Sequence, residues 1–290
     1  MDWNRHKRDW PHAEASRFVV LDRQAFHIQE LSGPKKAPVV LLLHGSGATT
    51  HSYADMMPHL TQHYRVVALD LPGHGFTQPM PDNRPTLPSV ARKLVALLEG
   101  EDIQPALIVG HSAGAAIAVQ MLGHLTEAPS AIISINGAFF PFPGLASHLF
   151  PAAAKLLFLN PFVPWAFSFG AGSTHRVEQL LSSTGSKISR EGLARYQAAL
   201  MSRAHVEGAL AMMANWDLTD MEERLKSLPI PLHQIIGAND GTISPNAARR
   251  AGKLLPQGQI EVVPNTGHLV HEEQPEHVAE LILQFATAAA

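Results

Sequence analysis

The 290-residue sequence contains no cysteine. Disulfides, thiolate catalysis and cysteine-ligated zinc are thereby excluded, and the chain suits a reducing compartment. Charge is sparse as well. Asp, Glu, Lys and Arg make up 16% of residues, and their formal sum of −3 gives no electrostatic reason to bind nucleic acid. No P-loop and no dinucleotide-binding glycine pattern occurs, so no cofactor is expected. No histidine spacing compels a metal site. The basic segment Met1–Arg8 is not followed by the apolar run of about 7–15 residues that a secretory signal needs. The uncharged stretch Leu156 to His175 is interrupted by Asn160, Pro161, Pro164, Gly170 and Gly172, which argues against a spanning helix. A soluble, cytoplasmic chain is expected.

Apolar residues, at 46%, are plentiful enough for one large core, or for a core with an insertion. Strand-like and helix-like segments alternate in the first half. Strands are expected at Ala25–Leu31, Ala37–Leu43, Tyr64–Leu69, Ala106–Val109 and Ala131–Ile135. Helices are expected at Tyr53–Gln62, within Arg84–Leu98, and at Ser112–Leu125. The run Ala-Pro-Val-Val-Leu-Leu-Leu at 37–43 suits a strand buried on both faces. From Gly137 to about Leu228 the rhythm is helical only. Alternation resumes with strands Pro231–Ile236 and Gln259–Val263 and helices Pro245–Leu255 and Glu276–Ala286. A mostly parallel sheet flanked by helices follows, with residues 1–136 and 229–290 as core and 137–228 as an inserted helical cap.

Gly110-His111-Ser112-Ala113-Gly114 fits G-x-S-x-G, with apolar Ala106–Val109 leading in and Ala115–Val119 leading out. At such a strand-to-helix turn the serine is strained and exposed, and the flanking glycines let two backbones nearly touch. The pattern resembles the nucleophile elbow of the α/β-hydrolase superfamily, where the acid and the histidine follow the nucleophile in that order. Asp240, in Gly237–Thr242, stands just after a late strand. The place after Ala131–Ile135, where some relatives carry the acid, holds the amide Asn136. Asp217 reads as a local cap. His268 follows the last strand, and His271 reads as an ordinary polar contact. Ser112 is thus the expected nucleophile, His268 its general base and Asp240 the residue that orients the imidazole. The loop His44-Gly45-Ser46-Gly47 follows the buried strand, which assigns the oxyanion hole to the backbone amides of Ser46 and Ala113. His44 reads chiefly as a brace for this loop. Asp70–Gly75 reads as a structural turn, with His74 a further pocket candidate.

The resemblance narrows beyond the superfamily. Trp10-Pro11 with Ala15–Val19, His44–Tyr53, Asp70–Thr77, Gly110–Ala116, Asn136–Phe142, His205–Leu218 and Gly267–Glu273 are similar to the magnesium chelatase accessory proteins of bacteriochlorophyll-biosynthesis gene clusters. Ser46 and Tyr53 stand where threonine and tryptophan are more usual there. Neither change removes a catalytic group. The resemblance implies an α/β-hydrolase fold with the cap inserted after the sixth strand, and a place near the magnesium-insertion step. It does not fix a reaction.

Lys155 is the only formally charged residue from Gly137 to His175, and the segment is rich in Phe and Leu. Three outlets fit: lining for a pocket that takes a tetrapyrrole or a long acyl group, a face resting on a membrane or partner, and core packing. His44, Gly45, His111, Phe139, Phe140, Met212, Met213 and Trp216 are the pocket candidates. An esterase acting on an apolar ester is the leading reading. A non-catalytic protein binding porphyrin or a chelatase subunit is the alternative, and a carbon–carbon bond hydrolase is the weaker one. Aspartate-nucleophile chemistry is disfavoured because position 112 is serine.

Overall fold

Strand Val39–Leu43 shows why a central sheet forms. Every residue in it is buried, with Val39, Leu41 and Leu43 in one apolar cluster and Val40 and Leu42 in another. Successive side chains point to opposite faces, so both faces of this strand are covered. Fully burying each such side chain contributes about 1.5–3 kcal/mol.

The computed structural model of the chain describes residues 1–141 and 162–288. Eight strands form one sheet: β1 (Ser16–Leu21), β2 (Gln24–Leu31), β3 (Val39–Leu43), β4 (Arg65–Leu69), β5 (Pro105–His111), β6 (Ala131–Ile135), β7 (Leu232–Gly237) and β8 (Ile260–Val263). Their spatial order is β1-β2-β4-β3-β5-β6-β7-β8. β2 is antiparallel to β1 and to β4; every other pair is parallel. Helices α1 (Leu87–Gly100) and α2 (Ala113–Met121) pack on one face. Thr86 caps α1 by accepting from the Ser89 amide, the usual role of a threonine there.

Between β6 and β7 the described residues form helices only: α3 (Phe162–Gly170), α4 (Thr174–Ser182), α5 (Arg190–Leu200), α6 (Arg203–Ala214) and α7 (Met221–Lys226). α8 (Pro245–Gly252) then packs through Ala251 on the α1 side, and α9 (Pro275–Ala288) covers the opposite face through Val278, Ile282 and Phe285.

Two elements differ from expectation. β1 is an added edge strand, joined to β2 through Asp22 and Arg23, both at positive φ (48° and 65°). The segment expected as a helix at Tyr53–Gln62 is a 3₁₀ turn, Thr50–Tyr53, followed by a short helix, Met57–Leu60. Pro58 has no amide hydrogen to donate back to Ala54, so it starts a helix there rather than continuing one. Among the described residues no helix is long and apolar enough to cross a membrane. α3 exposes Trp165, Phe167 and Phe169. The apolar residues from Phe142 to Phe158, expected as part of a cap, lie outside the described residues.

Candidate functional site

Strand register gathers the functional loops. Leu43 pairs with Leu69 and Gly110, His111 with Ile135, and Ile135 with Ile235. The segments beginning at His44, Asp70, Ser112, Asn136 and Ala238 therefore leave the sheet at one edge, where ligands bind in open parallel sheets.

Ser112 sits between β5 and α2 at φ 51°, ψ −116°. A non-glycine residue there costs about 1–3 kcal/mol. The surroundings hold it: its amide donates to Ile135 O (3.0 Å), and its carbonyl accepts from Ala115 and Ala138 (3.2 and 3.0 Å). A Cβ at Gly110 would lie 2.5 Å from the Ala115 nitrogen, and one at Gly114 would lie 2.0 Å from Leu43 O. Both glycines are thus obligatory. The Ser112 hydroxyl does not cap α2.

His268 Nδ1–H donates to Asp240 Oδ2 at 2.8 Å, with that carboxylate side chain fully buried. The other carboxylate oxygen accepts from the amides of Thr242 (2.7 Å) and Ile243 (2.8 Å). No hydrogen bond joins Ser112 Oγ to the His268 ring among the described residues. The serine's neighbour supplies the link instead. His111 Nε2–H donates to His268 O (3.0 Å), with the two rings 4.6 Å apart. This bond and full burial give His111 a bracing role, and burial holds its pKa well below the ordinary imidazole value.

Two supports were not legible as such in the sequence. Asn136 Oδ1 accepts from the Gly237 amide (2.9 Å), which fixes Nδ2 as the donor to Gly267 O (3.1 Å) and His268 O (2.9 Å). A carboxylate could not donate either bond. Thr184 O, between α4 and α5, accepts from both Gly241 N (2.9 Å) and His268 N (3.2 Å). Ser186 Oγ takes the Leu269 amide at 2.8 Å. A Cβ on Gly185, which has φ +82°, would meet Asn239 O at 2.0 Å. The signal for this contact was the bare Thr-Gly-Ser sequence.

On the opposite side of the elbow, the amides of Ser46 and Ala113 donate to no backbone carbonyl among the described residues. A Cβ on Gly45 would stand 3.0 Å from Ser112 Cβ, which puts this loop against Ser112. His44 Nε2 accepts from Leu71 N (2.9 Å), and its Nδ1–H donates to Gly45 O (2.8 Å), so it braces the loop. Asp70 accepts from Thr50 N, Phe76 N and His27 Nδ1. Burial alone would raise its pKa, but the His27 imidazole, with His44 and the Phe76 amide, holds it well below the usual carboxylate range.

The pocket candidates divide. Gly45 lies against Ser112. Phe139 and Met212 are buried in the cluster that packs on α2, with Phe140 and Trp216 partly buried against its margin. Met213 is half-buried. Asp217 caps no helix among the described residues; it accepts from the amide and hydroxyl of Thr219 in a local turn. Among the described residues no group of three or more His, Asp or Glu could hold a metal. His271 is fully buried and donates through Nε2 to Ser52 Oγ (2.9 Å), whose hydroxyl donates to Glu272; Tyr196 Oη on α5 donates to the same carboxyl oxygen (2.7 Å).

Residues 40–281 match the model of the alpha/beta hydrolase family, and the chain belongs to that family. It is 38% identical over 255 residues to the magnesium-chelatase 30 kDa subunit of Rhodobacter capsulatus, which covers 88% of each chain. It is also 25% identical over 260 residues to the pimeloyl-[acyl-carrier protein] methyl ester esterase of Vibrio vulnificus (strain YJ016), covering 87% of this chain and 95% of that one. The crystal structure of an alpha/beta hydrolase fold protein from Burkholderia ambifaria superposes with a TM-score of 0.76 at 21% identity, covering 93% of this chain and 97% of the other.

Proposed function

We propose that the chain is a serine hydrolase that transfers the acyl group of an apolar ester to water. Ser112 Oγ attacks the acyl carbon while His268 Nε2 takes its proton. The carbonyl oxygen becomes an anion held by the Ser46 and Ala113 amides. His268 passes the proton to the leaving alcohol. Water then attacks the acyl-enzyme with His268 again as base, releasing the acid and restoring Ser112. Asp240 keeps the proton on Nδ1, leaving Nε2 to act as base. The observation that carries this reading is the buried 2.8 Å Asp240–His268 pair at the same sheet edge as the strained Ser112. Residues 137–228 act in this reading as a cap over the core.

Likeness to the chelatase subunit supports looking for the substrate near magnesium insertion in bacteriochlorophyll biosynthesis, with a tetrapyrrole ester as the first class to screen. The same likeness favours a second reading, a non-catalytic accessory protein that binds porphyrin or a chelatase subunit. The apolar face of α3 would serve a partner or a membrane surface. The test is labelling with a fluorophosphonate probe. The wild type is expected to label and Ser112→Ala not to, with ester turnover lower by on the order of 10⁵–10⁶-fold. A folded wild type that stays unlabelled, together with a Ser112→Ala chain that still supports the pathway in cells, selects the accessory reading.

A further inference from the structure

His205 lies far from the elbow in sequence, on the first turn of α6, yet its side chain reaches the loop that carries Ser46. It is completely buried. Its Nδ1 accepts from the Gly75 amide at 3.0 Å. Nε2 must then carry the hydrogen, and it faces Gly47 O at 3.1 Å. One imidazole therefore joins the loop after β3 to the loop after β4. Lysine and arginine have no acceptor and could not do this. Burial holds the pKa of His205 down at about 4, so the ring stays neutral and keeps its acceptor near neutral pH.

Gly47 has little else to hold it. It stands at φ +79°, and no atom lies within 4 Å of where its Cβ would be. The turn it belongs to is closed by Ala48 N to Gly45 O, at 3.2 Å, and the Ser46 amide lies inside that turn. The helix that presents His205 is itself seated backbone to backbone. One turn on, a Cβ at Gly208 would be 2.0 Å from Gly73 O. The imidazole thus acts from a fixed base on the Gly47 side of a turn whose other hydrogen bonds, from Ala48 N and from His44 Nδ1, both converge on Gly45 O.

We infer that His205 is a positioning residue, which holds the Gly45–Ala48 turn so that the Ser46 amide points at the oxyanion. The inference rests on the hydrolase reading above. It makes the helices between β6 and β7 part of the catalytic apparatus, through a group that touches no reacting atom. A direct oxyanion donor is worth about 100–1000-fold in rate, so losing its alignment should cost less, about 10–100-fold.

The full-length chain is compared with His205→Leu, which removes both bonds, and His205→Gln, whose amide offers a donor and an acceptor. Active sites are counted by fluorophosphonate titration. Turnover of p-nitrophenyl butyrate is measured per titrated site, along with inhibition by a trifluoromethyl ketone, which forms an anionic adduct on serine. His205→Leu is expected to lower kcat about 10–100-fold with KM within about 3-fold, and to weaken the ketone by the same factor as kcat; His205→Gln should recover most of both. A wild type that titrates and turns over, with His205→Gln folded and as defective as His205→Leu, would overturn this inference alone. So would a loss carried by KM or by the number of active sites. If His205→Leu does not fold, His205→Gln and the ketone decide: unchanged ketone affinity alongside reduced kcat also overturns it. A wild type that neither labels nor hydrolyses overturns the hydrolase reading, and this inference with it.

Discussion

Asn136 shows how one amide can do what a carboxylate cannot. It holds the end of β7 through its oxygen and two carbonyls of the histidine loop through its nitrogen. Asn136→Asp keeps the shape but removes both donated bonds and turns a carboxylate oxygen toward two carbonyl oxygens. Each buried group left without its partner costs about 1–3 kcal/mol. We expect Asn136→Asp to unfold at lower urea concentration than the wild type, with the larger deficit above pH 5, where the introduced acid is ionised. Equal midpoints at all pH values would refute this account. The Asp240–His268 pair and the turn at Ser112 were legible because chain order and flanking strands single them out. Asn136 was visible only as the absence of an acid. Its work as a donor depends on β6, β7 and the loop after β8 meeting in space, which no local pattern records.

Segments rather than single groups decide the next outcome. The link between α4 and α5 is wedged between the acid loop and the histidine loop, and Gly185 is the residue that lets it fit. A methyl group there meets a carbonyl oxygen and also needs a positive φ that alanine disfavours. Gly185→Ala should destabilise the chain by more than about 1 kcal/mol and slow fluorophosphonate labelling. Gly100→Ala is the matched control, since no atom lies within 4 Å of a Cβ there. Equal labelling rates in the two variants would show that the wedge does not support the site. The parallel strands and their covering helices were readable because strands buried on both faces are continuous apolar runs. β1 was not. Its turn is Asp22-Arg23, both at positive φ without the glycine or asparagine that usually marks such a hairpin. Its outward residues Phe18 and Val20 are exposed, so no clean alternation of apolar and polar residues appears.

Glu272 joins parts of the chain that are remote in sequence: Ser52 after β3, and Tyr196 on α5. Burial pushes its pKa up to about 7, against the hydrogen bonds from Ser52 and Tyr196, which favour the anion. The folded state thus keeps a proton that the unfolded chain gives up near pH 4.5. Stability from this group is greatest at acid pH, declines as pH rises from about 4.5 to about 7, and is level above that. A tenfold difference in proton affinity between the folded and unfolded chain corresponds to about 1.4 kcal/mol. The difference in melting temperature between Glu272→Gln and the wild type should move in favour of the variant between about pH 5 and pH 8. Parallel profiles would show that Glu272 has an ordinary pKa in the folded chain. The Phe-rich stretch that the sequence made conspicuous leaves its role open. Apolar content is served equally by a pocket, a surface or a core, and only neighbours in space distinguish them.

The carbonyl of Thr184 and the imidazole of His205 both belong to the stretch between β6 and β7, yet each holds loops of the sheet. That stretch cannot be exchanged between relatives like a cassette. A chimera that imported foreign helices would bring along the wrong props for its own loops after β3, β4, β7 and β8. To change what such a protein accepts, the productive unit of redesign is the helix together with the loop it props.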